Sequence, residues 1–346
     1  MAHITDKTPF EAGFTMPARF APHQRSIMGW PRVASGYRWD MDLVQKEHAA
    51  CARAIARFEP CTITVDPEDM SMVSAEFAND SSIEVLEIPS NDGWIRDNGP
   101  IFVTRPDGEM ALVDFTFNGW GKFFPCEKDN AAPSNIANAL GIDYFTSNMV
   151  LEGGGFGVDG EGTMMATEQF LLNPNRNPNM SREQIEAELH ATLGVEKVLW
   201  LGYGLVEDGG TDGHVDNVAQ FIEPGVVLLQ TINTSINPNY PALEENRKRL
   251  ENATDAKGRK IKVIELDMLP YTDLIDSIAY PVPYVNYYIV NGGVIMPLLG
   301  GKEDDIAMSQ LEGLFPGREI VGVPSTAIAV DGGGIGCITQ QIPKHN

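Results

Sequence analysis

Four short polar motifs in this 346-residue chain carry side chains that could act on a bond. They are Trp94-Ile95-Arg96-Asp97, Leu151-Glu152-Gly153-Gly154, Asp212-Gly213-His214-Val215-Asp216 and Gly332-Gly333-Gly334-Ile335-Gly336-Cys337. Together they offer one thiol, one imidazole and several carboxylates. Paired carboxylates suit a planar cation with several N–H donors, which describes a guanidinium. A cation held between acids keeps its central carbon open to attack. Cysteine attacks as the thiolate, a form favoured by a neighbouring imidazolium or by the substrate's own positive charge. Cys337 is accordingly the candidate nucleophile. His214 is the candidate general acid/base, first protonating a departing ammonia and then activating water against a thiouronium intermediate. Asp97, Glu152 and Asp216 are the candidate holders of the cation. The glycines before Cys337, Gly333 and Gly334 among them, let backbone and substrate approach closely.

Taken singly, each residue has a plainer reading. A cysteine near a C-terminal strand is commonly a buried apolar side chain. His214 between Asp212 and Asp216 fits a surface turn or a metal ligand, although the six histidines are widely dispersed. Glu152 before two glycines fits a turn cap, and Asp97 beside Arg96 an ion pair. Spacing favours a shared site. Asp97 and Glu152 lie 55 positions apart, Glu152 and His214 62, and His214 and Cys337 123, close to two such periods.

The elements that must position these motifs recur with the same period. β-rich runs flank glycine turns in 101–117, 156–172, 214–232 and 285–299, and each reads as a hairpin. A polar helical segment and a short strand follow each one. After the second hairpin Ser181 is placed to cap a helix that leads to the strand Lys197–Leu201. The third leads to a helix around Pro241–Asn252 and the strand Lys262–Leu266, the fourth to Asp304–Leu314 and Glu319–Val323. An initial unit fits more loosely, with a strand near Ser26–Trp30, a helix over Asp40–Phe58 and the strand Thr62–Val65. About five ββαβ-like units without a Pro/Gly/Ser-rich linker point to an α/β chain with radial repetition, forming a single domain over 1–346. In a closed array of this kind, equivalent positions converge on the axis.

Composition bounds the partners. Against 25 Lys and Arg stand 48 Asp and Glu, a formal net charge of −23. Such a surface disfavours nucleic acid and anionic membranes and favours small cations, although a solubility adaptation accounts for it equally well. No apolar run is long enough to span a bilayer, and Met1–Phe14 lacks the basic start and apolar stretch of a secretory signal. Cys51, Cys61, Cys126 and Cys337 are scattered, which suits a reducing cytoplasm and neither a zinc ribbon nor a disulfide scaffold. Spacing assigns Cys51, Cys61 and Cys126 no role beyond packing. Whether the chain forms a homo-oligomer is left open.

Longer stretches resemble a known family. Gly13–Ala18, Ser90-Asn91-Asp92, Trp94–Pro100, Phe117–Gly121, Leu151–Gly154, Val158–Thr163, Leu171–Pro178, Thr211–Asn217, Tyr284–Pro297 and Gly332–Gln341 are similar to the agmatine and bacterial peptidyl-arginine deiminase family of the guanidino-group modifying superfamily. The resemblance runs from Thr8 to Pro343. It implies a five-fold pseudo-symmetric α/β propeller, and hydrolysis of agmatine to N-carbamoylputrescine and ammonia without metal or cofactor. It implies Cys337 as nucleophile, His214 as acid/base, and Asp97, Glu152 and Asp216 as guanidinium ligands, with Trp94 and Trp120 as pocket walls. The chain departs from the family pattern twice. Gly155-Phe156-Gly157 stands where Ser-Ile-His is usual, and Gly334-Ile335-Gly336 where Asn-Ile-His is usual. These glycines lead us to expect a remodelled pocket with volume and hydrogen-bonding capacity lost. Other readings therefore stay open: the same chemistry on an arginine derivative or peptidyl-arginine, an amidinotransferase, or a non-catalytic protein that binds cationic amines.

Overall fold

The computed structural model describes residues 1–32, 40–208, 210–273 and 277–344. Strand β1 is His23–Gly29, helix α1 Met41–Ala56, β2 Cys61–Val65 and β3 Ile83–Glu87. Four hairpin units follow. The first is β4 Ile101–Thr104, β5 Met110–Thr116, α2 Ala132–Leu140 and β6 Asp143–Val150. The second is β7 Phe156–Val158, β8 Thr163–Thr167, α3 Arg182–Leu193 and β9 Lys197–Leu201. The third is β10 Ala219–Glu223, β11 Val226–Gln230, α4 Tyr240–Glu251 and β12 Lys262–Leu266, and the fourth β13 Tyr288–Val290, β14 Gly293–Leu298, α5 Lys302–Leu314 and β15 Glu319–Pro324. β16, Thr339–Pro343, ends the chain's regular structure.

The four hairpins turn where glycine was expected to turn them. Gly108, Gly160, Gly225 and Gly292 all have φ between 77° and 90°, a region where a side chain is costly. Each hairpin pairs antiparallel, and its second strand then pairs parallel with the strand beyond the crossover helix. That places β5, β8, β11 and β14 in the middle of three-stranded sheets. β8 and β11 are buried along their whole length, so they read as continuous apolar runs rather than alternating ones.

The fifth sheet has the order β16-β1-β2-β3. β16 runs antiparallel to β1, with Met28 opposite Thr339, and β1 runs parallel to β2. β16 thus takes the position that a hairpin's first strand holds in the other sheets. This pairing of the two chain ends explains why the initial unit fitted the repeat loosely in the sequence. The extra strand β3 was not anticipated.

Crossover helix α3 packs against strands of two sheets. α3 starts with a reciprocal cap: the Gln184 N–H donates to Ser181 Oγ, and the Ser181 N–H to Gln184 Oε1. It buries Ile185, Leu189 and Leu193, spaced four residues apart, in one cluster with Val113, Phe145 and Met164. Each such side chain contributes about 1.5–3 kcal/mol of burial.

Candidate active site

The reactive side chains all stand on the short connections that lead into first strands. Asp97 is in the helical turn Ile95–Asn98 before β4. Glu152 lies between β6 and β7, His214 and Asp216 at the 3₁₀ turn before β10, and Cys337 two residues before β16. These are different sheets, yet the side chains meet. His214 Nδ1 is 3.5 Å from Asp97 Oδ1, and its Nε2 is 3.3 Å from Glu152 Oε2. The thiol of Cys337 is 3.9 Å from Asp216 Oδ2. Gly154 marks the meeting point: a Cβ there would come within 2.6 Å of Asp97 Oδ1, 2.8 Å of His214 Nδ1 and 3.0 Å of Asp216 Oδ2. Only a residue without a side chain fits.

Burial makes the charges of this cluster depend on one another. Burial alone would lower the His214 pKa, but Asp97, Glu152 and Asp216 outweigh it and lift it to about 9. His214 is therefore an imidazolium at neutral pH. Burial raises Asp216 to about 6, against the pull of the Arg19 and His214 charges. Burial, then Asp216 and Asp97, push the Cys337 thiol well above its ordinary value, so at rest the sulfur holds its proton.

A cavity of about 480 Å³ opens onto the cluster. Trp94, Asp97, Trp120, Gly333 and Cys337 line it, whereas Glu152, His214, Asp216 and Gly334 are not among its lining. Trp120 Nε1 donates to Asp97 Oδ2 at 3.0 Å from a left-handed backbone (φ 52°, ψ 49°), a conformation that costs about 1–3 kcal/mol. Gly333 lies close to the Trp94 ring, which a Cβ would overlap. Among the described residues, no three His, Cys, Asp or Glu side chains are arranged to hold a metal ion.

The four glycines expected to enlarge the pocket do not line it. A Cβ at Gly155 would overlap the Phe170 ring, which packs edge-on against the His214 imidazole at 4.8 Å between centroids. At Gly334 and at Gly336 it would stand 2.7 Å from Asn286 Oδ1. Phe170 and Asn286 have filled this space. Only Gly157 has room, with Phe221 the nearest atom at 4.0 Å.

Two further residues belong to the site that chemical scanning of the sequence missed. Asn286 precedes β13 by two residues, as Cys337 precedes β16 and Asn217 precedes β10. Its Nδ2 donates to Cys337 Sγ at 3.3 Å and to Asn217 Oδ1 at 2.8 Å, and its Oδ1 accepts from the Gly336 N–H at 2.8 Å. The clue was available, because the fourth hairpin had no reactive residue at its start. Arg176, also buried, donates from Nε to both Glu152 oxygens at 2.8 and 3.1 Å and from Nη1 to Asp212 Oδ2 at 2.6 Å. It sits inside the Leu171–Pro178 resemblance and carries the charge that lets Glu152 be buried.

The chain is similar to known proteins along nearly its whole length. A candidate agmatine deiminase of Latilactobacillus sakei is 40% identical over 97% of this chain and 98% of its own length. One from Legionella pneumophila strain Paris is 38% identical, covering 97% of each. The solved agmatine deiminase of Enterococcus faecalis superimposes with a TM-score of 0.94 at 37% identity, over 99% of this chain and all of that one. The sequence profile of one family matches residues 15–343, and the chain belongs to it: the Porphyromonas-type peptidyl-arginine deiminases.

Proposed function

We propose that the chain hydrolyses agmatine to N-carbamoylputrescine and ammonia through a covalent adduct on Cys337. One observation carries the reading. A thiol, an imidazolium and the carboxylates of Asp97 and Asp216 meet beside a cavity whose lining, among the described residues, holds five acids, Asp92, Asp97, Glu207, Asp208 and Asp331, and no Lys, Arg or His. A guanidino compound with a second amine suits that lining; the α-carboxylate of arginine would face the like charge of these acids.

In this reading Asp97 and Asp216 take up the guanidinium. Its positive charge offsets the two acids that hold the thiol protonated, and the thiol proton leaves to solvent. The thiolate forms a C–S bond to the amidino carbon. His214 gives its proton to one –NH₂, the C–N bond breaks, and ammonia departs. The neutral imidazole then takes a proton from water as the hydroxide adds to the thiouronium carbon. The C–S bond breaks, the thiolate is restored, and the product urea releases its extra proton to solvent. Glu152, fastened by Arg176, keeps His214 in place and charged.

The same reading takes the five sheets as blades of a five-fold pseudo-symmetric α/β propeller, one domain over 1–346 with the site on its axis. Its support is that the site residues come from the starts of strands in separate sheets. The experiment is ammonia release from agmatine, arginine and a peptidyl-arginine. Agmatine should turn over fastest, and Cys337→Ala should abolish turnover with an unchanged Tm. Activity of Cys337→Ala, or preference for arginine, overturns the proposal.

A further inference from the structure

One charged side chain beside the site has no part in the chemistry above. Arg19, in the segment before β1, donates from Nη2 to the Gly153 carbonyl at 2.6 Å and to the Phe156 carbonyl at 2.9 Å. The stretch between those two carbonyls is where the site is tied together. The Gly154 N–H donates to Asp97 Oδ1 at 2.9 Å, and the Asp216 N–H donates to the Gly154 carbonyl at 3.2 Å. Glu152 adjoins on one side. Arg19 is itself fastened, since its own carbonyl lies 3.0 Å from His23 Nε2, whose other ring nitrogen is 2.9 Å from the buried Glu59. A neutral donor could satisfy two carbonyls. A guanidinium also brings a fixed charge, which acts on Asp216 together with His214, Asp97 and Arg96.

Resting on the active-site reading, we propose that Arg19 is a positioning residue of this site: it clamps the Gly153–Phe156 turn that holds Asp97 and Asp216 in register, and it supplies a permanent positive charge to the acid cluster. No step of the reaction passes through it. A clamp of this kind carries two consequences that a merely structural residue would not. The turn should open more often without it, because two charge-assisted hydrogen bonds are lost. Asp216 should also lose its charge at higher pH, because the first cation opposing its burial is gone.

The test compares wild type, Arg19→Met and Arg19→Lys in two measurements that need no turnover. Amide hydrogen exchange over 153–157 should speed up about tenfold in Arg19→Met and less in Arg19→Lys, with α3 unchanged. The second reads Cys337 alkylation by cationic 2-chloroacetamidine relative to neutral 2-chloroacetamide. In wild type this preference should rise as pH passes about 6, where Asp216 ionises. In Arg19→Met the rise should move up by about one pH unit, and in Arg19→Lys it should stay near the wild-type position. Wild-type exchange in Arg19→Met overturns the clamp, and an unmoved alkylation curve overturns the charge role. If Arg19→Met does not fold, Arg19→Lys decides: wild-type exchange over 153–157 then counts against the clamp. Wild type that shows the expected exchange and alkylation but releases no ammonia from agmatine refutes the deiminase reading and leaves the role of Arg19 standing.

Discussion

Asn286 gives the sharpest check on how the thiol is activated. Both its N–H bonds are used, one on Cys337 Sγ at 3.3 Å and one on Asn217 Oδ1 at 2.8 Å, while Oδ1 holds the Gly336 N–H. The contact to sulfur is weak for a thiol and strong for a thiolate, so it favours the attacking state over the resting one. A hydrogen bond to a charged group contributes about 1.5–3 kcal/mol. At about 1.4 kcal/mol per decade, Asn286→Ala should lower kcat/KM for agmatine by about ten- to a hundredfold. The same free energy should raise the pH at which Cys337 becomes alkylatable by about one to two units. One buried partner, Asn217 Oδ1, is orphaned as well, at a cost of about 1–3 kcal/mol, while the Gly336 N–H keeps the main-chain carbonyl of residue 286 at 3.1 Å, so Tm should fall. Asn286→Asp should cost more in both respects, because it sets a buried carboxylate against the sulfur and against Asn217 Oδ1. Initial rates of ammonia release, alkylation against pH and thermal melts read all three. An Asn286→Ala enzyme within about threefold of wild type, with an unmoved alkylation curve, would refute the reasoning.

Other expectations follow from the same geometry. kcat/KM should rise through about pH 6 as Asp216 ionises and fall through about pH 9 as His214 loses its proton. Asp97→Asn should bring the upper limb down toward the ordinary imidazole range, and an unmoved limb would assign it to another group. Because the folded pKa of His214 lies above its ordinary 6.5, the stability it contributes is complete below 6.5 and lost as pH rises through about 9; melts across that interval should show the decline. Arg176→Met removes the guanidinium that holds both Glu152 oxygens, leaves His214 as that carboxylate's cation, and should cost about 3–5 kcal/mol, read in denaturant unfolding; a change below about 1 kcal/mol would show that His214 alone suffices. Gly336→His and Gly157→His should behave differently. The first drives Asn286 off the sulfur and should lose most activity, whereas at the second an added Cβ meets nothing closer than 4.0 Å, so activity should be kept. Equal losses would contradict the packing.

The hairpins were legible because their turns need left-handed glycine, a local demand that Gly108, Gly160, Gly225 and Gly292 announce in the sequence. The pairing of β16 with β1 has no such local signal; it joins residues more than 300 positions apart through long-range hydrogen bonds. β3 was missed because its residues are half-exposed and its partner, β2, precedes it without a hairpin. The thiol, imidazole and acids that meet between the sheets were legible from residue type and period. Asn286, Arg176 and Arg19 were not, because an amide or guanidinium is as common on a surface as in a site, and only its partners distinguish the two. The glycines misled for the opposite reason. Counting missing side chains gives lost volume, but close packing fills such space, here with Phe170 and Asn286.

Under the proposed mechanism, what the cluster lacks at rest sets what it selects. Many cysteine hydrolases keep a thiolate–imidazolium pair before substrate arrives. Here the imidazolium is held by Asp97 and Glu152, while burial, together with Asp216 and Asp97, denies the charge to Cys337. A cation entering between Asp97 and Asp216 offsets both constraints at once: it relieves the acids that oppose the thiolate and puts its own carbon beside the sulfur. A neutral or anionic compound of the same shape would bind beside a protonated thiol and go no further. Selectivity for a guanidinium is then built into the ionisation step itself, and it should persist when the cavity mouth is altered, as long as Asp97 and Asp216 keep their charge.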